Sequence, residues 1–142
     1  MIGPGVGVAP FIGFLQELST RERANDAWLF FGDQHRESDW LYGDQLGEWQ
    51  ASGVLTRLNL AFSRDQVHKH YVQHEILSEA TELRSWIDRG AHIYICGDKN
   101  RMARDVENAL LEVLAPPGQS GEAGAAALEE LKQSGRYAKD VY

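Results

Sequence analysis

Apolar residues fall along this chain in two alternating rhythms. Short unbroken runs are separated by longer stretches in which apolar positions recur every three or four residues. The first rhythm suits buried strands and the second suits helices with one apolar face. Their alternation predicts β-α units around a parallel sheet. "AWLFFG", residues 27–32, is a buried strand stopped by glycine. "VLTRLNLAFS", residues 54–63, reads as another, with Arg57 and Asn59 as polar insertions. "HIYICG", residues 92–97, is the next, and residues 136–142 read as a last strand. Met1 and Ile2, ahead of the turn "GPGVG", form the opening strand.

Between these runs the helical period recurs. Pro10 suits a first helical turn, where its missing N–H costs nothing. Phe11, Phe14, Leu15 and Leu18 follow at helical spacing. Residues 41–50 form a helix of weaker periodicity, and residues 71–89 are helical with a break near Leu77 and Ser78. Residues 100–114 carry the strongest stripe: Met102, Val106, Leu110, Val113 and Leu114. Pro116, Pro117 and Gly118 end it. "SGEAGAAA", residues 120–127, is loop and helix start, leading into a short helix over 125–131. No segment repeats. The expected fold is α/β, an open, mostly parallel five-stranded sheet with helices on both faces. Buried parallel strands usually run about four to eight residues. An opening strand of Met1 and Ile2 alone is short for one, so residues upstream are expected and Met1 is not expected to be a natural start.

Composition narrows the function. At 142 residues the chain is the size of one domain with a real core. Twenty-one acidic residues against 14 Lys and Arg give a net charge of -7. That balance argues against an extended nucleic-acid surface and against adhesion to an anionic membrane. No apolar run approaches the length of about 18 residues that a spanning helix needs, and no signal-peptide pattern opens the chain. Cys96, the single cysteine, cannot form an internal disulfide, which fits a reducing compartment. The expectation is a soluble, cytoplasmic, one-domain piece.

Against that acidic background, "SRDQVHKHYVQ", residues 63–73, stands out. Arg64, Lys69, His68 and His70 gather there with only Asp65 opposing them, and Ser63 and Tyr71 lie among the bases. The stretch follows the strand over 54–63, at the carboxyl edge where open α/β sheets bind ligands. Arg64 offers a planar fork to phosphate, Lys69 a mobile point charge, Ser63 a hydroxyl, and Tyr71 a ring for stacking. Such a set suits one phosphomonoester beside an aromatic base, as in the 2′-phosphate and adenine of NADP; the alternative is a solvated basic loop. The turn over residues 3–7 joins strand to helix, with Gly5, Val6 and Gly7 able to approach an anion. It departs from G-x-G-x-x-G, since Val8 stands at the third glycine position; a plain tight turn is equally open. Asp33 is the acidic residue nearest the place for a ribose contact, but it reads better as part of an acidic loop. His70 and His74 have metal-ligand spacing, yet no third ligand stands at a matching distance, Glu75 being merely adjacent, and no metal site is expected. Cys96 and Asp98 end a strand on the ligand edge, where a lone cysteine can also be a small core residue. Tyr142 is held by the strand before it, beside Asp140.

Together "MIGPGVGVAPF", "WLFFG", "GVLTRLNLAFSRDQ", "KHYVQ", "HIYICGDKNRMARDVENALLEV" and "RYAKDVY" resemble the NADP-binding domain of the ferredoxin–NADP reductase family. Within it the chain resembles the diflavin reductases, and their bacterial sulfite reductase branch most closely. The resemblance implies that Ser63 and Arg64 grip the 2′-phosphate with Lys69 assisting. His70, Tyr71, Val72 and Gln73 would form the adenine pocket, with Tyr71 stacking. Gly5, Val6 and Gly7 would face the pyrophosphate and nicotinamide, and Asp105 would lie near the adenosine ribose. Cys96, Asp98 and Asp140 would serve hydride transfer to flavin, with Tyr142 covering the FAD ring. The resemblance further implies upstream FAD- and FMN-binding domains of the same chain and a haemoprotein partner that reduces sulfite. Two departures stand out: Val6 replaces a frequent threonine, and Tyr rather than Trp at position 142 favours the sulfite reductase branch over the cytochrome P450 reductase branch. A non-catalytic NADP-binding module and a NAD dehydrogenase are the alternatives.

Overall fold

The computed structural model describes residues 1–22, 25–119 and 121–142. It divides into two compact units, Met1–Val72 and Gln73–Tyr142, each built from a parallel strand pair and helices.

In the first unit, strand β1 (Trp28–Asp33) pairs in parallel with β2 (Arg57–Phe62), from Trp28 opposite Arg57 to Asp33 opposite Phe62. Ile2 makes one parallel bridge to Phe30, flanked by hydrogen bonds from Phe30 N–H to the Met1 carbonyl and from Gly3 N–H to the Phe30 carbonyl. The opening strand is therefore one bridge long. Position 3 admits only glycine, because the Cβ of any larger residue there would lie 2.6 Å from the Gly7 carbonyl oxygen and 2.7 Å from the Phe11 ring. The chain then makes a 3-10 turn over Gly5–Val8, with Gly5 at φ 58, a left-handed value that only glycine adopts cheaply. It continues as helix α1 (Ala9–Ser19), with Pro10 in its first turn as expected. Phe11 and Leu15 are buried, while Phe14 packs its ring edge-on to Phe11 at 5.8 Å and stays partly in solvent.

The segment after β1 was expected to be an acidic loop, but it holds a one-turn helix, α2 (Arg36–Asp39), followed by α3 (Gly43–Ser52). The latter starts and ends two residues later than the period suggests: Leu41 is exposed, and Leu46 and Trp49 supply the buried face. Strand β2 begins at Arg57 rather than 54, because Leu55 N–H bonds the Trp49 carbonyl and closes the turn out of α3. The polar insertions have partners. Trp28 Nε1–H donates to Asn59 Oδ1 at 2.8 Å, and the Arg57 guanidinium lies 4.2 Å above the Trp28 ring.

Helix α4 (Val72–Ser78) leads into the second unit and α5 (Ala80–Asp88) follows, with the break at Glu79, next to the Leu77–Ser78 position the period suggested. Strand β3 (Ile93–Gly97) pairs in parallel with β4 (Tyr137–Val141). Helix α6 (Met102–Leu114) buries Val106, Leu110 and Val113, together with Ala103 and Ala109. It ends at Ala115, whose extended ψ of 128° is the conformation forced on a residue before proline. Helix α7 (Gly121–Gln133) is longer than the short helix expected over 125–131; Ser120, the first residue of "SGEAGAAA", lies outside the described residues. Two arginines finish helices. Arg84 donates to the carbonyls of Val113 and Ala115 at the end of α6, and Arg136 to those of Ile87 and Ala91 at the end of α5.

The α/β class and the parallel pairing stand. Of the expected five-stranded sheet, the described residues show four strands in two parallel pairs and the Ile2 bridge. A strand needs consecutive paired residues, and in the opening segment Ile2 is paired by a single isolated bridge. No described helix is long and apolar enough to cross a membrane.

Candidate functional site

Parallel pairing puts the exits of Ile2, β1 and β2 at one edge of the first unit, so the glycine turn, the segment after Asp33 and the segment after Phe62 all start there. Beyond Phe62 the two segments stay tied although the strands have ended. Ser63 N–H donates to the Asp33 carbonyl at 2.8 Å and Arg64 N–H to the Gln34 carbonyl at 2.9 Å. Asp65 then takes His35 Nδ1 at 3.0 Å on one carboxylate oxygen and the Arg36 backbone N–H at 2.9 Å on the other. The Arg36 bond, with the His35 contact and the Arg36 charge adding to it, holds the Asp65 carboxyl below the ordinary carboxylate range. Gln66 Nε2 closes the turn on the Phe62 carbonyl at 2.8 Å.

Ser63 is the only polar residue buried in the core among the described residues, at 8% exposure, and its hydroxyl has no protein partner. Arg64 and Lys69 are exposed, and neither side chain makes an ion pair or hydrogen bond among the described residues. The patch seen in the sequence therefore becomes a recessed hydroxyl on a pinned backbone, followed by two cations that no carboxylate claims. Asp65, which the sequence shows only as an opposing charge, is spent on the neighbouring loop. His70 is half-buried, and Tyr71 is 38% exposed at the entry to α4. Val72 differs from these: its side chain is buried in contact distance of Gly32, where an added Cβ would meet it at 3.0 Å, so only its backbone faces outward business. In the glycine turn Gly5 and Gly7 supply backbone, and Val6 is 78% exposed.

At the carboxyl edge of β3 and β4, the second unit gathers the remaining candidates except Gln73, which is half-buried in the first turn of α4. Cys96 lies directly opposite Asp140 in the ladder. Burial first, and the charge of Asp140 second, push the Cys96 thiol above its ordinary pKa, so at neutral pH it is a protonated, weak donor rather than a thiolate. Asp98 closes the turn that leads into α6. Its Oδ1 accepts Arg101 N–H at 2.9 Å and its carbonyl accepts Ala103 N–H at 3.0 Å. Asp105 is half-buried one turn later. Strand pairing continues past Val141: Tyr142 N–H bonds the Gly97 carbonyl and Lys99 N–H bonds the Tyr142 carbonyl. The backbone of Tyr142 is thus fixed while its ring is 62% exposed.

No group of three His, Cys, Asp or Glu side chains among the described residues is placed to hold a metal ion, and His70 and His74 gain no third member. Sequence reasoning missed that Asp65, His35 and Arg36 join around the loop of Ser63 and Arg64. Only the parallel register brings positions some thirty residues apart together, and no local pattern marks them.

Comparison with known proteins adds the lineage. The chain is 50% identical over its whole length to the sulfite reductase [NADPH] flavoprotein alpha-component of Photobacterium profundum and to that of Shewanella oneidensis, and 49% identical to that of Yersinia pestis. It spans 24% of the length of these relatives. Residues 1–108 match the oxidoreductase NAD-binding domain model, taking in the glycine turn, both strand pairs' first members and the loop of Ser63 and Arg64. The chain belongs to the oxidoreductase NAD-binding domain family.

Proposed function

We propose that residues 1–142 form the NADP(H)-binding domain of a flavin-dependent reductase. In that protein FAD- and FMN-binding domains of the same chain pass electrons to a sulfite-reducing haemoprotein in the cytoplasm. The names of the relatives and the 24% share of their length that this chain spans support that setting. The observation that carries the coenzyme choice is local: the partnerless hydroxyl of buried Ser63 beside the uncommitted cations Arg64 and Lys69. A phosphomonoester supplies acceptors to that hydroxyl and to both cations at once.

In this reading Ser63 and Arg64 grip the 2′-phosphate and Lys69 assists. Tyr71 stacks on adenine within a pocket completed by His70, the Val72 backbone and Gln73. Gly5, Val6 and Gly7 present backbone to the pyrophosphate, and Asp105 stands by the ribose. The bound coenzyme supplies a hydride. Cys96, kept protonated by burial first and the Asp140 charge second, gives the nicotinamide a compact neutral neighbour, and Asp98 holds the turn before α6 at the same edge. Tyr142, fixed by its backbone, offers its exposed ring to FAD.

Two or three charge-assisted hydrogen bonds of about 1.5–3 kcal/mol each favour NADP over NAD by roughly 10³-fold. Removing one of them by Arg64→Ala should weaken 2′,5′-ADP binding by roughly tenfold or more and leave 5′-AMP binding unchanged, as read by calorimetry. Equal discrimination of the two ligands before and after the substitution defeats the assignment.

A further inference from the structure

The bonds that orient the Ser63–Arg64 segment converge on Asp65. A carboxylate adjacent to a phosphate-binding arginine is unfavourable on two counts. It repels the incoming phosphate, and it competes for the guanidinium. Here neither oxygen is directed to Arg64. One engages His35 Nδ1 at 3.0 Å and the other the Arg36 N–H at 2.9 Å, both on the loop that follows β1. Helix α2 has no side-chain cap of its own at His35, so the carboxylate supplies from outside the acceptor that a helix start lacks. With the backbone bonds Ser63 to Asp33 and Arg64 to Gln34, it forms a continuous stitch from residue 63 through 65 that fixes the Arg64 backbone on both sides. The guanidinium is left with no protein partner.

We infer that Asp65 is a positioning residue for 2′-phosphate recognition: by clamping the His35–Arg36 loop it holds Ser63 and Arg64 in the geometry that receives the phosphate. This rests on the NADP reading above. Its content lies in a sign. If Asp65 were only a nearby negative charge, removing it would tighten phosphate binding. As a clamp, its removal loosens binding, because the loop must then be ordered by the ligand.

The test measures 2′,5′-ADP and 5′-AMP affinities of the 142-residue chain with Asp65→Ala, Asp65→Asn, His35→Ala and Arg64→Ala. Asp65→Ala should weaken 2′,5′-ADP by about 3- to 10-fold with 5′-AMP unchanged, a ratio that general destabilisation does not move. Asp65→Asn keeps an acceptor for the Arg36 N–H without the charge and should recover wild-type affinity or better. His35→Ala, an exposed site that keeps the carboxylate, should show a smaller loss in the same direction, and it carries the test should Asp65→Ala fail to fold. If Arg64→Ala lowers the ratio while Asp65→Ala and His35→Ala leave it unchanged or raise it, the clamp is wrong and the NADP reading survives. If Arg64→Ala also leaves the ratio unchanged, the NADP reading itself has failed.

Discussion

Burial first, and the charge of Asp140 facing it across the β3–β4 ladder second, make Cys96 a thiol that resists ionisation. Removing the neighbouring charge by Asp140→Asn should lower the Cys96 pKa, since the thiolate is then no longer repelled. Alkylation by iodoacetamide at mildly alkaline pH should accordingly run faster in the variant than in the wild-type chain; equal or slower rates would show that Asp140 does not act on the sulfur. Asp65 shifts the opposite way. Its folded pKa lies below its unfolded value, so between the two the unfolded chain binds more protons. The stabilising contribution is complete above the unfolded value of about 3.9 and is lost as pH falls through the folded one. An NMR titration of the Asp65 carboxyl should therefore find its midpoint below the ordinary Asp range. At this scale the sequence shows which groups are present: the cations, the hydroxyl and the thiol. It does not show which are already spoken for. Arg57 and Asn59 look like interruptions of a strand until Trp28 is found against them, and Asp65 looks like a flaw in a basic patch until His35 arrives from the other loop.

Elements were more legible than their ends. The period found α1, the break between α4 and α5, and α6, because each buries its apolar face and local spacing reports that face directly. It missed α2, whose four residues bury nothing, and it placed the start of β2 too early, because a hydrogen bond from Leu55 to Trp49 decides where the strand begins. Two glycines separate local preference from packing. Gly124 sits in α7 where an added Cβ would fall on the Leu111 carbonyl oxygen of α6. The obstacle is backbone and cannot swing aside, so Gly124→Ala should destabilise the chain by about 1–3 kcal/mol in urea unfolding. Gly47, inside α3, has nothing within 4 Å of the same atom, and Gly47→Ala should stabilise by about 0.5–1 kcal/mol through helix propensity alone. Matching signs at the two positions would contradict the close α6–α7 approach.

For the molecule as a whole, the proposed role carries one blunt expectation. The chain supplies residues for the hydride donor and none of the proposed flavin domains, so the purified 142 residues should bind NADPH without oxidising it when no flavin is added. Measurable turnover in that preparation would remove the need for an FAD domain from the proposal. In a flavin-complete protein, Tyr142→Ala should alter the flavin absorbance spectrum and relax the preference for NADPH over NADH. The sequence by itself determined the α/β class, the order of the main elements, the acidic balance and the cluster of Ser63, Arg64 and Lys69, because each is written in spacing or composition within a few neighbours. Only the tertiary structure decided that the opening strand is one bridge long, that Asp98 closes the turn before α6, that Cys96 meets Asp140, and that Asp65 reaches back to His35 and Arg36. Those are pairings between residues far apart in the chain, set by strand register, and register depends on how whole elements pack rather than on any one stretch of residues.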